Sequence, residues 1–308
     1  MRAVVLERNR LVGRRVARHV AAIGGTAAVI EDPAQLPALA ADATLICADV
    51  FDGDAVVAAT LARPGLRAVL WTAEPLKRAL RHLGECPAIG HVLGRRDFDS
   101  PPRPWELGLV LRRLLAPVAA PLPLAAYLDW GHAGFELAIA TSADRDAAVA
   151  RIQTVVGELQ VPRRLAEIAG ELTHELLMNA LYDAPTDGDG RPRHAHDRKA
   201  AVALPPGDAA VLRLGSDGSR LVLQVRDRFG GLRRAQVVDG LTRGLASGEL
   251  DRSGGGAGLG LTVCHQSSLA LFFELGAGRH TQVTATLDLD LNLRELKTHA
   301  RSLHLWES

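Results

Sequence analysis

Three short stretches in the second half of the chain carry residue types that could handle a charged ligand. Glu171, Glu175 and Asn179 fall four apart within 163–181, so on a helix they form one polar stripe beside the buried one. A carboxylate and a carboxamide one turn apart can hold Mg2+, which takes few protein oxygens and completes its octahedron with water and phosphate. Asp227 follows the apolar run 221–225 and precedes Arg228-Phe229-Gly230-Gly231. A carboxylate at a strand end accepts hydrogen bonds, for instance from an adenine amine, and glycines after it let backbone approach a ligand. Gly254-Gly255-Gly256-Ala257-Gly258-Leu259-Gly260-Leu261 offers successive N–H donors ahead of a helix start, a setting that favours anions. No Gly-Lys-Ser/Thr follows it, and it is not a clean dinucleotide fingerprint. Taken singly, each stretch has a plainer explanation: a solvated helix face, an aspartate entering a turn, a flexible linker.

In this order the three resemble the motifs of the GHKL (Bergerat-fold) ATP-binding superfamily, which includes gyrase, histidine kinases and anti-sigma-factor serine kinases. Glu175-Leu176-Leu177-Met178-Asn179-Ala180 looks like its N box, residues 227–231 like its first glycine box, and residues 256–261 like its second. Thr281, after Gly278-Arg279-His280, sits where the family often has a threonine supporting the adenine-binding aspartate. The resemblance covers about 135–289. It implies an α+β domain using ATP and Mg2+, with Asn179 on the metal, Asp227 on the adenine and Glu175 as general base. It also implies a nucleotide site that includes Asp183, Gly230, Gly231 and Thr281, under a phosphate lid drawn from Gly254, Gly255, Gly256, Gly258, Leu259 and Gly260.

One departure is that Phe229 takes the first glycine position of the first box, where it would narrow the adenine pocket. A phosphoacceptor helical hairpin is missing, and His174 lies inside the N-box helix as a structural residue. The order from Phe135 onward is therefore similar to the anti-sigma-factor serine kinases. The expected activity is a serine/threonine protein kinase or ATPase, with a sigma factor, an anti-anti-sigma protein or another signalling protein as partner, and a homodimer as a further arrangement. The alternatives are a nonenzymatic interaction module and a histidine-kinase-like transducer.

These residues need elements to position them. In the second half, a strand over 135–140 leads to a helix capped by Ser142 with apolar positions Ala148, Ile152, Val155, Val156 and Leu159. A second helix spans 163–181, and a polar loop follows over 185–198. A hairpin of 211–214 and 221–225 turns at Asp217-Gly218, and 269–275 with 282–289 close the sheet. The first half instead alternates apolar runs at 3–6, 27–30, 44–48, 68–71 and 89–93 with helical patterns, which predicts a parallel, flavodoxin-like α/β domain.

The first half resembles a response-regulator receiver: Asp49 lies near the phosphoacceptor position and Thr72 near the switch threonine. Glu7-Arg8 replaces an acidic pair, and Gly94, with Arg95 adjacent, replaces a lysine. Arg8 is expected to intrude on the metal site, giving a pseudo-receiver over 1–116 whose Asp49 is not phosphorylated and which serves protein contact. Pro117, Pro121 and Pro123 predict a linker over 117–133. The GHKL-like domain then spans 134–292, and the tail 293–308 reads as a short amphipathic helix.

Composition excludes other classes. With 36 Lys+Arg against 35 Asp+Glu, bulk positive charge cannot drive nucleic-acid binding, and aromatics at 4% leave few stacking platforms. Cys47, Cys86 and Cys264 are scattered and odd in number, which suits a reducing compartment. Glu7 comes too early for a signal peptide, and the uncharged run 254–273 is rich in glycine and polar residues, so no membrane span is expected. The reading is a cytoplasmic protein. His194, His196 and Asp197 belong to a surface loop rather than a metal site.

Overall fold

The computed structural model describes residues 1–116, 120–129, 131–187, 191–195, 197–246 and 257–308. The chain forms two compact units, Met1–Ala120 with His299–His304, and Pro121–Thr298 with Leu305–Ser308. Both are mixed α/β.

In the first unit, β1 (Arg2–Leu6), β2 (Thr26–Ile30), β3 (Leu45–Asp49), β4 (Arg67–Thr72) and β5 (Ile89–Gly94) alternate with α1 (Arg10–Ala22), α2 (Leu36–Ala40), α3 (Gly53–Ala62), α4 (Lys77–Glu85) and α5 (Pro104–Leu115). All paired neighbours among these strands are parallel, in the order β2-β1-β3-β4-β5. The apolar strand runs are what a sheet covered on both faces requires: Val5, Leu6, Ile46, Cys47, Val69 and Leu70 are buried. The C-terminal ends of these strands carry Glu7, Asp49, Thr72 and Arg95 at or just beyond their last residues.

In the second unit, β6 (Ala133–Ile139), β7 (Ala210–Ser216), β8 (Arg220–Asp227), β9 (Ala270–Gly276) and β10 (His280–Asp288) pair antiparallel in the order β9-β10-β8-β7-β6. Helices α6 (Ser142–Glu158), α7 (Arg163–Met178), α8 (Arg234–Ala246) and α9 (Ala257–Ser267) complete it. The cap of α6 is Thr141, not Ser142. The Thr141 hydroxyl accepts the Asp144 N–H and the Asp144 carboxylate accepts the Thr141 N–H, a reciprocal box. The Ser142 hydroxyl is engaged elsewhere, with Tyr182 and the Val202 N–H. Helix α8 was not marked by the sequence patterns.

Residues 121–129 are not a free linker. The Leu122 N–H donates to the Glu274 carboxylate at 3.0 Å, and the Leu122 carbonyl accepts from Gln282 Nε2 at 2.8 Å and Gln224 Nε2 at 3.2 Å. Tyr127 donates to Glu274 at 3.3 Å and meets the Phe272 ring edge-on. Burying three polar side chains on a sheet face is tolerable only with such partners, and the proline segment supplies them.

The tail also differs from expectation. α10 (Leu293–Thr298) is short, and β11 (Ser302–Glu307) is a strand whose Leu303 and His304 pair antiparallel with Val92 and His91 of β5. Buried Ser302 and His304 bond to the Gly94 N–H at 2.7 Å and to Glu106 at 2.8 Å. Those partners lie far away in sequence, so they left no local signal. No helix among the described residues is long and apolar enough to cross a membrane.

Candidate functional site

Helix α7 buries Leu165, Ile168, Ala169, Leu172 and Leu176, which sets the azimuth of its polar stripe. Glu171 is exposed and ion-paired to Arg164 at 3.0 Å, so it belongs to the solvated face. Glu175 and Asn179 are half-buried. Asn179 opens a wide π turn, Asn179–Asp183, closed by the Ala184 N–H on the Asn179 carbonyl at 2.9 Å; such turns often mark functional sites.

Helix α9 crosses this pair at Gly260. A Cβ built there would stand 2.5 Å from Glu175 Oε2 and 3.8 Å from Asn179 Oδ1, so glycine is what permits the approach. The buried Cys264 lies one turn further along, its thiol pushed far up by burial and then by the Glu175 charge. Gly258 and Leu259, expected with Gly260 to form part of a phosphate lid, lie in the first turn of α9. Gly254, Gly255 and Gly256 lie outside the described residues.

The first glycine segment approaches the other end of the same turn. A Cβ on Gly231 would lie 3.7 Å from the Ala184 carbonyl oxygen, the residue after Asp183. Gly230 has φ +60°, and a Cβ there would meet the Gly276 carbonyl at 2.2 Å. Asp227 Oδ1 accepts the Phe229 and Gly230 N–H groups at 2.8 and 3.1 Å. Burial pushes the Asp227 carboxyl above the usual range, opposed by those amides and by Thr281, its register partner on β10. The Thr281 hydroxyl is near enough to oppose that shift, yet it has no partner at hydrogen-bonding geometry among the described residues. A buried carboxylate beside an unsatisfied buried hydroxyl fits a polar heterocycle such as adenine.

Asp183 is pushed up by burial and pulled back by its ion pair with Arg198. Arg198, from the expected polar loop, was missed by sequence reasoning because loop arginines carry no pattern. Phe229 is half-buried. The cavity of about 570 Å3 that Asp227 lines opens among Arg213, Arg226, Arg228 and Arg279; neither Asn179 nor Gly258 lines it. Thus Glu175, Asn179 and Gly260 come together, and Gly231 adjoins the end of their turn, without sharing that cavity. Among the described residues no His/Cys/Asp/Glu group could hold a metal alone, so a cation here would rest on Asn179 and its ligand's own oxygens.

The first unit brings Glu7, Asp49 and Arg95 together. Arg95, 2% exposed, donates to Glu7 Oε2 at 3.0 Å and to Asp49 Oδ2 at 2.6 Å. Trp71 Nε1 also donates to Glu7 Oε2, and Asp49 Oδ1 accepts the Phe51 N–H. Burial raises the Asp49 carboxyl, opposed by the Phe51 amide and then Arg95. Arg8, its side chain 67% exposed, pairs with the buried Asp52 at 3.0 Å and forms no ion pair with Glu7 or Asp49, unlike the intrusion expected of it. The intruding cation is Arg95. The Thr72 hydroxyl is tied within its own turn to Glu74.

Set against protein-family models and the curated proteins, the chain matches none.

Proposed function

We propose that the second unit is a Bergerat-type (GHKL) domain that binds ATP with Mg2+, and that the first is a flavodoxin-like pseudo-receiver. The reading rests chiefly on the approach of Gly260 to Glu175 and Asn179, which unites two of the three motif stretches. The third is tied to them through Gly231 and Ala184. The strand order β2-β1-β3-β4-β5 supports the flavodoxin-like part.

In this reading Asp227 accepts the adenine amine with Thr281 beside it, and Asn179 is the protein ligand of the metal. Gly230 and Gly231 let backbone approach the nucleotide, and Asp183, steadied by Arg198, borders it. Bound ATP–Mg2+ supplies the transferable phosphoryl group and its charge neutralisation. Glu175 takes the proton from a serine or threonine hydroxyl of a protein partner, or from water. A partner of the sigma-factor or anti-anti-sigma kind, a role in signalling and a cytoplasmic setting belong to the same proposal.

A second reading, a nonenzymatic interaction module, is favoured by Arg95, which fills the acidic site of the first unit. Titrating ATP–Mg2+ into the full chain while following thermal unfolding separates the two, because a ligand specific to the native state raises stability. The kinase or ATPase reading expects a saturable rise that Asp227→Asn abolishes, and turnover that Glu175→Ala removes while binding persists. No rise at millimolar ATP leaves the interaction module.

A further inference from the structure

The cavity that Asp227 helps to line at the end of β8 is a cationic hollow. Arg226 alternates with Asp227 along the strand and lies across from Val211 of β7, while Arg213 lies two pairs further along β7, on the same face as Val211. The chain at Gly207–Ala209 and at Gly278–Arg279 walls the hollow, and Arg228 and Arg279 complete four guanidinium groups around about 570 Å3, a volume suited to a small ligand.

Asp227 is the one carboxylate among the residues that line the hollow, and its Oδ1 is taken by the Phe229 and Gly230 N–H groups; the remaining anionic compensation is thin. Glu136 pairs with Arg213 Nε at 2.7 Å, and Asp208 is 3.7 Å from Arg228. Arg228 also donates to the Gly207 carbonyl, Arg213 to Gln224 at 3.3 Å, and Arg279 to the Ser308 hydroxyl at 3.1 Å. Arg226 is half-buried and has no hydrogen bond or ion pair among the described residues. Neighbouring His280 has its pKa lowered by burial and then by the charges of Arg226 and Arg279, which favours its neutral imidazole beside these cations.

A half-buried guanidinium without an anion is costly. Convergent guanidinium forks match the paired oxygens of phosphate and carboxylate, which they bind bidentately. We infer that this hollow is a second ligand site, for a small polyvalent oxyanion; it adjoins the proposed nucleotide site at Asp227 but is lined by neither Glu175, Asn179 nor Gly260. Two or more anionic groups on one small molecule suit four forks around a cavity of this size. The inference does not depend on ATP binding at Glu175 and Asn179.

The test is calorimetric titration of inorganic pyrophosphate into the full chain at low salt, without nucleotide. Binding is expected, weakened about tenfold or more by Arg226→Gln with Arg279→Gln, weakened by added salt, and unchanged by Asn179→Ala. Citrate bound in place of pyrophosphate, and lost on the same double substitution, keeps the site and assigns it to carboxylates. The double variant should melt at or above the parent temperature, because it relieves like-charge crowding. A large fall in melting temperature would make the arginines props of the fold and overturn the proposal. So would absence of binding to both anions, equal binding by parent and double variant, or loss of pyrophosphate binding in Asn179→Ala alone, which would place the anion in the nucleotide site.

Discussion

Nη2 of Arg95 lies 2.6 Å from Oδ2 of Asp49, and the same guanidinium serves Glu7 at 3.0 Å. Two buried carboxylates share one buried cation. Removing one member of such a group leaves uncompensated charge, so Arg95→Ala is expected to cost about 3–5 kcal/mol in urea unfolding. Arg95→Lys should cost less, keeping the charge while losing the two-pronged geometry. An alanine variant as stable as the parent would contradict this account.

The same contact bears on phosphorylation. Asp49 has one oxygen on the Phe51 amide and the other on Arg95, leaving neither free for an incoming phosphoryl group. Incubating the full chain with acetyl phosphate and Mg2+ should leave its intact mass unchanged. A phosphate adduct lost in Asp49→Ala would refute the pseudo-receiver assignment.

Asp227 predicts a pH signature. Its carboxyl is raised, first by burial, so the native state holds that proton more tightly than the unfolded chain. Its contribution to stability is therefore favourable at low pH and is lost as pH climbs from about 4, the ordinary carboxylate value, through the higher native one. Asp227→Asn removes this loss, so the melting temperature of the variant minus that of the parent should grow with pH across that window. Taking the difference isolates Asp227 from Asp49 and Asp183, which are raised likewise. A flat difference would mean that the carboxyl titrates normally.

Gly260 and Gly157 form a matched pair of helix glycines. A methyl at Gly260 stands 2.5 Å from the Glu175 carboxylate, whereas one at Gly157 in α6 meets nothing within 4 Å. Gly260→Ala should push the Glu175 carboxylate aside, forfeiting the stabilisation an alanine otherwise brings to a helix and, in the nucleotide reading, weakening ATP–Mg2+ binding. Gly157→Ala should stabilise by about 0.5–1 kcal/mol. Equal stability changes in chemical denaturation would remove the close approach of α9 from the argument.

Local patterns made much of this molecule legible. Unbroken runs such as Leu45–Ala48 mark two-sided burial, and the spacing Leu165, Ile168, Ala169, Leu172, Leu176 marks the inner face of α7. The same spacing put Glu175 and Asn179 beside that face, where the structure has them half-buried. What could not be read depended on partners distant in sequence. Ser302 and His304 look polar, but bonds from Gly94 and to Glu106 let them lie buried in a strand. Arg8 and Arg95 look interchangeable until geometry sends one to solvent and the other inward. Thr141 outcompeted Ser142 as a cap because Asp144 could answer it three residues later.

The hold of Glu274 on Leu122 has a practical corollary for dissecting the chain. A fragment cut to begin at Ala133, where the antiparallel strands start, would strip Glu274, Gln224 and Gln282 of partners they have in the intact protein. One beginning at Pro121 would keep them. Anyone wishing to excise the second half should place the scissors upstream of the prolines, since the stretch that resembles a tether is part of the garment's lining.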